Sequence, residues 1–154
     1  MRNLGIISLI VTLAAIGRAT AADGPFPPHK VIGNVYYVGS KDLAIYLVTT
    51  PKGHILVNSG FDRTVPLITA SVTSLGFKMT DIRIILASHA HSDHVAGHAR
   101  VRELTNARVF VMTGDERVIA NGGKGQTMDF GGDAPVQNTL NFRSGPKAGD
   151  TINI

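Results

Sequence analysis

A mainly apolar run, IRIILAS at residues 82–88, constrains the fold more than any other part of the chain. The run is bounded by polar residues and is too short to form a helix of its own. A strand of this composition is typically buried on both faces of its sheet. A second run of this kind, ARVFVM, follows at residues 107–112.

Strands and helices alternate along the rest of the chain. Further strands are predicted at residues 34–40, 43–50 and 54–60, and the turn PKG at 51–53 joins the last two as a hairpin. A helix follows, with Thr64 as its cap, Pro66 in its first turn and Gly76 at its end. Its apolar face is predicted to carry Val65, Ile68, Val72 and Leu75. A short helix is predicted within residues 114–123, closed by Gly122, and strand-like pieces recur only near the end. The predicted class is α/β.

Composition limits the kinds of site that are available. The 154 residues are enough for one domain, and 44% of them are hydrophobic, so a folded core is expected. There is no cysteine, so a metal would have to be held by histidine and carboxylate side chains. The net charge is +4, but the basic residues are scattered and not interleaved with aromatic residues, which gives no support to nucleic-acid binding.

The first 21 residues have the pattern of a secretory signal peptide. Arg2 gives a positive start, residues 4–16 are almost wholly apolar, and small residues stand at 19–21, where cleavage is expected. The apolar run is too short to cross a bilayer comfortably. A short membrane anchor or a buried N-terminal helix are the alternatives. We expect the mature chain, residues 22–154, to be periplasmic or secreted and not membrane-bound, with an extended proline-rich arm at its start.

Four of the six histidines lie in the stretch SHAHSDHVAGH, residues 88–98. It begins where the predicted buried strand ends, before an amphipathic segment at about residues 94–104. Ligands in open α/β sheets gather at the carboxyl ends of strands, because the backbone there is free to shape a crevice. A solvated surface loop is the alternative, but four residues of metal-binding type within six positions favour a metal site.

The spacing of these residues suits two cations. His89 and His91 are two apart, so in an extended loop their rings can point the same way and share one cation. Asp93 and His94 follow where the chain turns into a helix, and can be directed at a second. Zinc accepts imidazole nitrogen and carboxylate oxygen. Two zinc ions a few ångströms apart can share a water, ionise it near neutral pH and deliver hydroxide to a carbonyl group.

The residues HAHSDH, at 89–94, resemble the H-x-H-x-D-H signature of the metallo-β-lactamase superfamily. The strand before the signature, the VAGH after it and the upstream hairpin with NSG at 58–60 agree with this resemblance. Three flanking segments, residues 34–61, 65–97 and 147–154, are similar to subclass B3 of that superfamily. Together the resemblance extends over nearly all of residues 31–154.

The resemblance implies an αββα sandwich, of which this chain would hold only the N-terminal half to two-thirds. It implies that His89 and His91 bind one Zn²⁺, that Asp93 and His94 bind a second, and that Asp93 orients the shared water and accepts its proton. The complete protein would hold two Zn²⁺ ions and hydrolyse the amide bond of a small-molecule substrate, a β-lactam antibiotic. Relatives complete the zinc sites with later histidines, whereas the last histidine here is His98. We therefore expect residues 22–154 to be a truncated N-terminal part with little or no activity by itself.

Two other functions stay open at this point. The same signature occurs in other hydrolases of the fold, such as lactonases and thioester hydrolases like glyoxalase II. A non-catalytic zinc-binding fragment is the third possibility, because four ligands are not the full set. The sequence does not fix the oligomeric state.

The remaining polar candidates are assigned supporting roles. We predict that His98, one helical turn beyond the signature, faces away from the loop and lies on the surface. His29 and His54 are expected to be structural, and Asn58 to support the site loops rather than bind zinc. Lys124, in a glycine-rich segment, is expected to be solvated, with contact to an anionic substrate as the alternative.

Overall fold

The computed structural model describes residues 24–112, 115–120 and 142–144. Within these ranges, the strands are β1 (His29–Ile32), β2 (Val35–Tyr37), β3 (Tyr46–Val48), β4 (His54–Val57), β5 (Ile82–Leu86), β6 (Arg108–Val111) and β7 (Phe142–Ser144). The α-helices of the same ranges are α1 (Val65–Ser74), α2 (Ser92–Val95), α3 (His98–Thr105) and α4 (Glu116–Ala120). Short 3₁₀ helices, Asp62–Thr64 and Met79–Asp81, lead into α1 and β5. The predicted α/β class is confirmed.

All the described strands belong to one sheet, in the order β1-β2-β3-β4-β5-β6-β7. Strands β1 to β4 are antiparallel to their neighbours, and β4 to β7 are parallel. Parallel neighbours require crossover connections, which α1 supplies between β4 and β5, and α2 with α3 between β5 and β6. The carboxyl ends of β4 and β5 therefore meet at one edge of the sheet.

The predicted strands are confirmed, but the observed strands are shorter than the sequence patterns. The hairpin of β3 and β4 is present, with Leu47 opposite Leu56, and its turn includes Gly53 at φ +123°. The proline-rich arm adds β1, which the sequence did not predict as a strand. Among the described residues, no helix is long and apolar enough to cross a membrane. The expected signal peptide, residues 1–21, lies outside the described residues.

Strand β5 is buried on both faces of the sheet, as predicted. Ile84 and Ile85 point to opposite faces of the sheet and are both fully buried. Arg83, near the amino end of the strand, is exposed, so the burial on both faces begins only after it. The strand that carries the histidine stretch is therefore held from both sides, which gives the following loop a rigid base.

Helix α1 matches its predicted position but not its predicted cap. Thr64 is the N-terminal cap residue, yet its side chain makes no capping hydrogen bond, and its buried Oγ1 has no partner in the described structure. The prediction of a side-chain cap is wrong, because Thr64 ends a 3₁₀ turn and has helical rather than extended dihedral angles. The C-terminal end follows the prediction. Gly76 has φ +84° and donates to Thr73 O, while Phe77 donates to Val72 O, which is a Schellman motif.

The amphipathic segment predicted at residues 94–104 is two helices rather than one. Helix α2 ends at Val95 and α3 begins at His98, with Ala96 and Gly97 between them. Gly97 donates its N–H to the carbonyl oxygen of Gly60 at 2.9 Å. This long-range contact lies where the helix is interrupted, and local hydrophobic spacing could not reveal it.

Candidate metal centre

Residues 88–94, here called the histidine loop, follow β5 at the carboxyl edge of the sheet. Ala87, just before the loop, is tied to the neighbouring strand by its N–H, which donates to Phe110 O at 3.0 Å. Within the loop, His91 has extended dihedral angles, and α2 begins at Ser92. The site thus lies where sheet geometry predicts it.

The structure brings together all four residues predicted to bind metal. His89 Nε2 and His91 Nδ1 are 3.0 Å apart, and Asp93 Oδ2 lies 3.4 Å from His94 Nε2. The two pairs are neighbours, because the rings of His89 and His94 have centroids 4.0 Å apart. The spacing of the sequence therefore produced two adjacent donor pairs.

The donor pairs fit zinc in chemistry and in separation. Two nitrogen ligands on one tetrahedral zinc, at the usual bond lengths, lie about 3.3 Å from each other. The separations within the two pairs, 3.0 and 3.4 Å, are close to that value. Among the described residues, no three His, Asp or Glu side chains are arranged around a single position. Each pair could therefore supply two ligands of a zinc ion and would leave further positions to other groups.

Burial favours the neutral form of His94. Its half-buried position lowers the pKa of the ring; the Asp93 carboxylate opposes this, and His89 and His91 lower the pKa further. Only a neutral imidazole has a free lone pair for a metal, so the lowered pKa keeps the ring ready for binding.

Ser88 links the two donor pairs, a role that the sequence analysis missed. Its Oγ lies 3.1 Å from Nδ1 of His89 and 3.2 Å from Nδ1 of His94. Contacts to the second ring nitrogen fix how a histidine presents the other nitrogen to a metal. Its position at the end of the buried strand was the one available signal.

A second segment, residues 58–60, supports the histidine loop and is here called the bracing loop. Asn58, at φ 65°, accepts the Ser88 N–H through Oδ1 at 3.0 Å. Ser59 donates its N–H to His94 O at 2.8 Å, and Gly60 accepts from Gly97. The histidine loop is thus held at its start, at its last ligand and just beyond. The predicted supporting role of Asn58 agrees with these contacts.

The prediction that His98 is a surface residue is wrong. Its side chain is buried, only 1% exposed, and its Nδ1 lies 2.6 Å from Ser59 Oγ. Burial lowers the pKa of His98 to about 3, so the ring is neutral. Helical spacing could not reveal this burial, because the residue that contacts His98 lies 39 positions away in the chain.

The other polar candidates lie away from the donor pairs or outside the described residues. His29 stacks on Tyr37 with ring centroids 5.5 Å apart, and His54 packs edge-to-face on Phe77 at 5.4 Å. These ring contacts are consistent with the structural roles that were predicted. Lys124 lies outside the described residues.

Comparison with known proteins places this site in a family. The family model described as the metallo-beta-lactamase superfamily matches residues 43–152. The chain is similar to the solved FEZ-1 metallo-beta-lactamase from Legionella gormanii, with 40% identity and a TM-score of 0.79 over 86% of this chain and 50% of that one.

Two further structures resemble the chain to a similar degree. The class B3 di-zinc metallo-beta-lactamase LRA-12, from an Alaskan soil metagenome, is 34% identical, with a TM-score of 0.79 over 89% of this chain and 52% of that one. A beta-lactamase from Chitinophaga pinensis is 36% identical, with a TM-score of 0.80 over 97% and 53%. The chain thus spans about half the length of the solved relatives, and over that length it has the metallo-β-lactamase fold that was predicted. The matched family model, these structural matches and the paired donors of the histidine loop show that the chain belongs to the metallo-β-lactamase superfamily and resembles its subclass B3.

Proposed function

We propose that the complete protein carrying this sequence hydrolyses the amide bond of β-lactams with two zinc ions, as a subclass B3 enzyme. The observation that carries the proposal is the pair of adjacent donor sets, His89 with His91 and Asp93 with His94. Its support comes from the solved relatives, among them a di-zinc class B3 enzyme. Because the chain spans about half of each of them, the activity belongs to the proposal.

The donor atoms suggest how the ions are held. His89 Nε2 and His91 Nδ1 face each other and would bind one zinc, while Asp93 Oδ2 and His94 Nε2 would bind the second. When bound, zinc polarises the substrate carbonyl and lowers the pKa of water enough for attack near neutral pH. Ser88, within hydrogen-bond distance of both Nδ1 atoms, keeps the His89 and His94 rings in fixed orientations.

Asp93 is the residue proposed to handle the proton. Its side chain is 44% exposed, so water can reach the carboxylate. One carboxylate oxygen faces His94, so the other is available to orient the attacking water and to take its proton. No serine nucleophile is required, so no acyl-enzyme should accumulate.

We propose further that residues 1–21 direct the chain out of the cytoplasm and are then removed. Support comes from the positive start, the short apolar run and the small residues before position 22. An extracytoplasmic location also suits an enzyme that must meet an antibiotic before it reaches its target.

The test is hydrolysis of a penicillin, a cephalosporin and a carbapenem by the purified complete protein, with a lactone and a thioester assayed in parallel. We expect β-lactam turnover that chelators abolish, that added zinc restores and that serine-directed inhibitors leave intact. Turnover of the lactone or thioester without any β-lactam hydrolysis would replace this function by that of another hydrolase of the fold. Zinc binding without any turnover would leave a non-catalytic zinc-binding protein.

A further inference from the structure

Ser59 and His98 form a buried hydrogen-bonded pair behind the histidine loop. Ser59 Oγ and His98 Nδ1 are 2.6 Å apart, although the residues are 39 positions apart in the chain. Ser59 is fully buried and His98 is 1% exposed, so solvent does not compete for the contact. Buried polar groups need partners, and here each side chain supplies one for the other.

The pair is connected to a proposed zinc ligand through the backbone of His94. Ser59 donates its N–H to His94 O at 2.8 Å, and its Oγ lies 3.4 Å from the same oxygen. Two atoms of one buried residue therefore hold the carbonyl group of His94. Because α2 is only four residues long, its position depends on tertiary contacts of this kind.

The hydrogen positions follow from counting donors. A serine hydroxyl has one hydrogen, so if Ser59 Oγ donates to His94 O, the bond to His98 must be donated by Nδ1–H. His98 Nε2 is then an acceptor, and it has no hydrogen-bond partner in the described part of the chain. A buried acceptor without a partner is tolerated better than a buried N–H donor without one. The neutral Nδ1–H tautomer thus completes a hydrogen-bond chain from His98 through Ser59 to His94.

We propose that Ser59 and His98 are positioning residues that fix the backbone of α2, so that His94 meets its zinc ion already in place. The inference rests on the proposed zinc site and adds two residues to it that touch neither metal nor substrate. A merely structural pair would lower the stability of the fold. A positioning pair must also change zinc affinity and the local protection of α2, beyond what equal destabilisation elsewhere would do.

The variants for the test separate these two roles. Ser59→Ala removes the hydroxyl, and His98→Leu removes the ring nitrogens and keeps an apolar side chain in the core. His98→Asn leaves a cavity but places an amide N–H close to the position of Nδ1. Val101→Ala is the matched control, because Val101 is also fully buried on α3 and its truncation destabilises the same helix.

The measurements are Zn²⁺ affinity and amide hydrogen exchange of the complete protein. We expect Ser59→Ala and His98→Leu to weaken Zn²⁺ binding about tenfold or more, the range known for residues that orient metal ligands. The Ser59 amide and α2 should exchange faster than in Val101→Ala. His98→Asn should recover most of the affinity without recovering stability. The double variant Ser59→Ala/His98→Leu should bind no more weakly than either single variant, because both break one hydrogen-bond chain.

The outcomes distinguish this inference from the proposed function. Zinc affinity and α2 protection equal to those of Val101→Ala would overturn the positioning role. If the unsubstituted protein binds no zinc, the proposed function falls, and the exchange data alone then decide whether the pair fixes α2. Should His98→Leu fail to fold, Ser59→Ala carries the test, because it removes only one oxygen atom.

Discussion

At the scale of single residues, the surroundings of a histidine decide its role. His89 and His91 are half-buried and present ring nitrogens to each other at 3.0 Å. His98 is enclosed, and its Nδ1 lies 2.6 Å from the hydroxyl oxygen of a serine. All three occur within ten positions of the sequence. Residue type and spacing are therefore enough to locate the donor pairs. They are not enough to distinguish a histidine proposed to bind zinc from a buried histidine that supports the loop.

Replacing Asp93 by alanine should abolish most of the activity of the complete protein. The substitution removes a proposed zinc ligand and the carboxylate that orients the water, and the loss of a positioned base alone typically costs about 10²–10⁴-fold. The measurement is kcat on a cephalosporin at saturating zinc. Glu103→Gln is the control, because Glu103 is an exposed carboxylate on α3, paired with Arg100 at 3.7 Å. Robust β-lactam hydrolysis by Asp93→Ala would contradict the assigned role.

His98 should make the stability of the protein depend on pH. Burial lowers the pKa of its ring to about 3, against an ordinary value of 6.5. Below pH 6.5 His98 takes up a proton in the unfolded chain but stays neutral in the folded chain. The contribution of the neutral ring to the folded state is therefore complete above that pH and is lost as pH falls towards 3. Between pH 7 and pH 5 this residue should cost about 2 kcal/mol of unfolding free energy.

The check is denaturant unfolding of the complete protein at both pH values, with His98→Asn compared to the unsubstituted protein. The variant should be less stable at pH 7 but should lose less stability between pH 7 and pH 5. His29→Asn, which changes a histidine of the exposed β1 edge, is the control and should keep the pH dependence of the unsubstituted protein. Identical pH dependence in His98→Asn would show that His98 is not buried as a neutral ring.

At the scale of secondary structure elements, the junction of α2 and α3 is the point where local pattern and tertiary contact disagree. Hydrophobic spacing predicted one helix, but the helix is interrupted at Gly97, whose backbone N–H bonds to the bracing loop. A Cβ atom at Gly97 would come within 2.6 Å of the carbonyl oxygen of Ser59. Only glycine allows this approach. The residue type required at position 97 is therefore set by a contact with a residue 38 positions away.

Two glycine substitutions should distinguish the effect of this contact on zinc binding from the effect of straining a glycine at the end of a helix. Gly97→Ala should weaken Zn²⁺ binding, because a Cβ there pushes the bracing loop away from the histidine loop. Gly76→Ala is the control: it strains a residue at φ +84° by about 1–2 kcal/mol, yet its Cβ would meet nothing within 4 Å. Calorimetric titration with Zn²⁺ compares the two. Equal zinc affinities in both variants would mean that the approach at Gly97 does not serve the site.

Much of the fold and of the donor pairs could be predicted, because their signals are local. The continuous run of β5, the hairpin turn at Gly53 and the ending of α1 at Gly76 all follow from residue type and period. The roles of Ser59 and His98 could not be predicted, because their hydrogen bond joins segments far apart in sequence. The interruption of the helix at Gly97 could not be predicted either, because it also depends on a contact between distant segments.

At the scale of the whole molecule, the site lies at the carboxyl ends of strands in a mixed sheet, where antiparallel pairing gives way to parallel pairing. Strands β1 to β4 are antiparallel, and from β4 onward the described strands run parallel. The carboxyl ends of β4 and β5 therefore deliver the bracing loop and the histidine loop to the same place. Because these two loops also contact each other, the position of the donor pairs is set by the strands that carry both loops and not by one loop alone.

Export should remove the N-terminal residues. We expect the protein recovered from the periplasm or medium to begin near Ala22 or Asp23, because the small residues at 19–21 follow a short apolar run. Mass spectrometry of the exported protein gives the new N-terminus. Ala19→Arg, placed at an expected cleavage position, should block processing, whereas Arg18→Lys should not. An exported form that still carries Met1 would contradict the prediction.

Residues 1–154 by themselves should bind zinc weakly and hydrolyse β-lactams little or not at all. His89 and His91 are proposed to supply two ligands, whereas a catalytic zinc usually has three from the protein. No third candidate converges on them among the described residues. The chain also spans about half of its solved relatives. The measurement is hydrolysis of a chromogenic cephalosporin by the purified chain, with His89→Ala as the control, which should weaken zinc binding without changing the background rate. Chelator-sensitive turnover at about 1 s⁻¹ or faster, typical of enzymes, would show that these residues complete the site themselves.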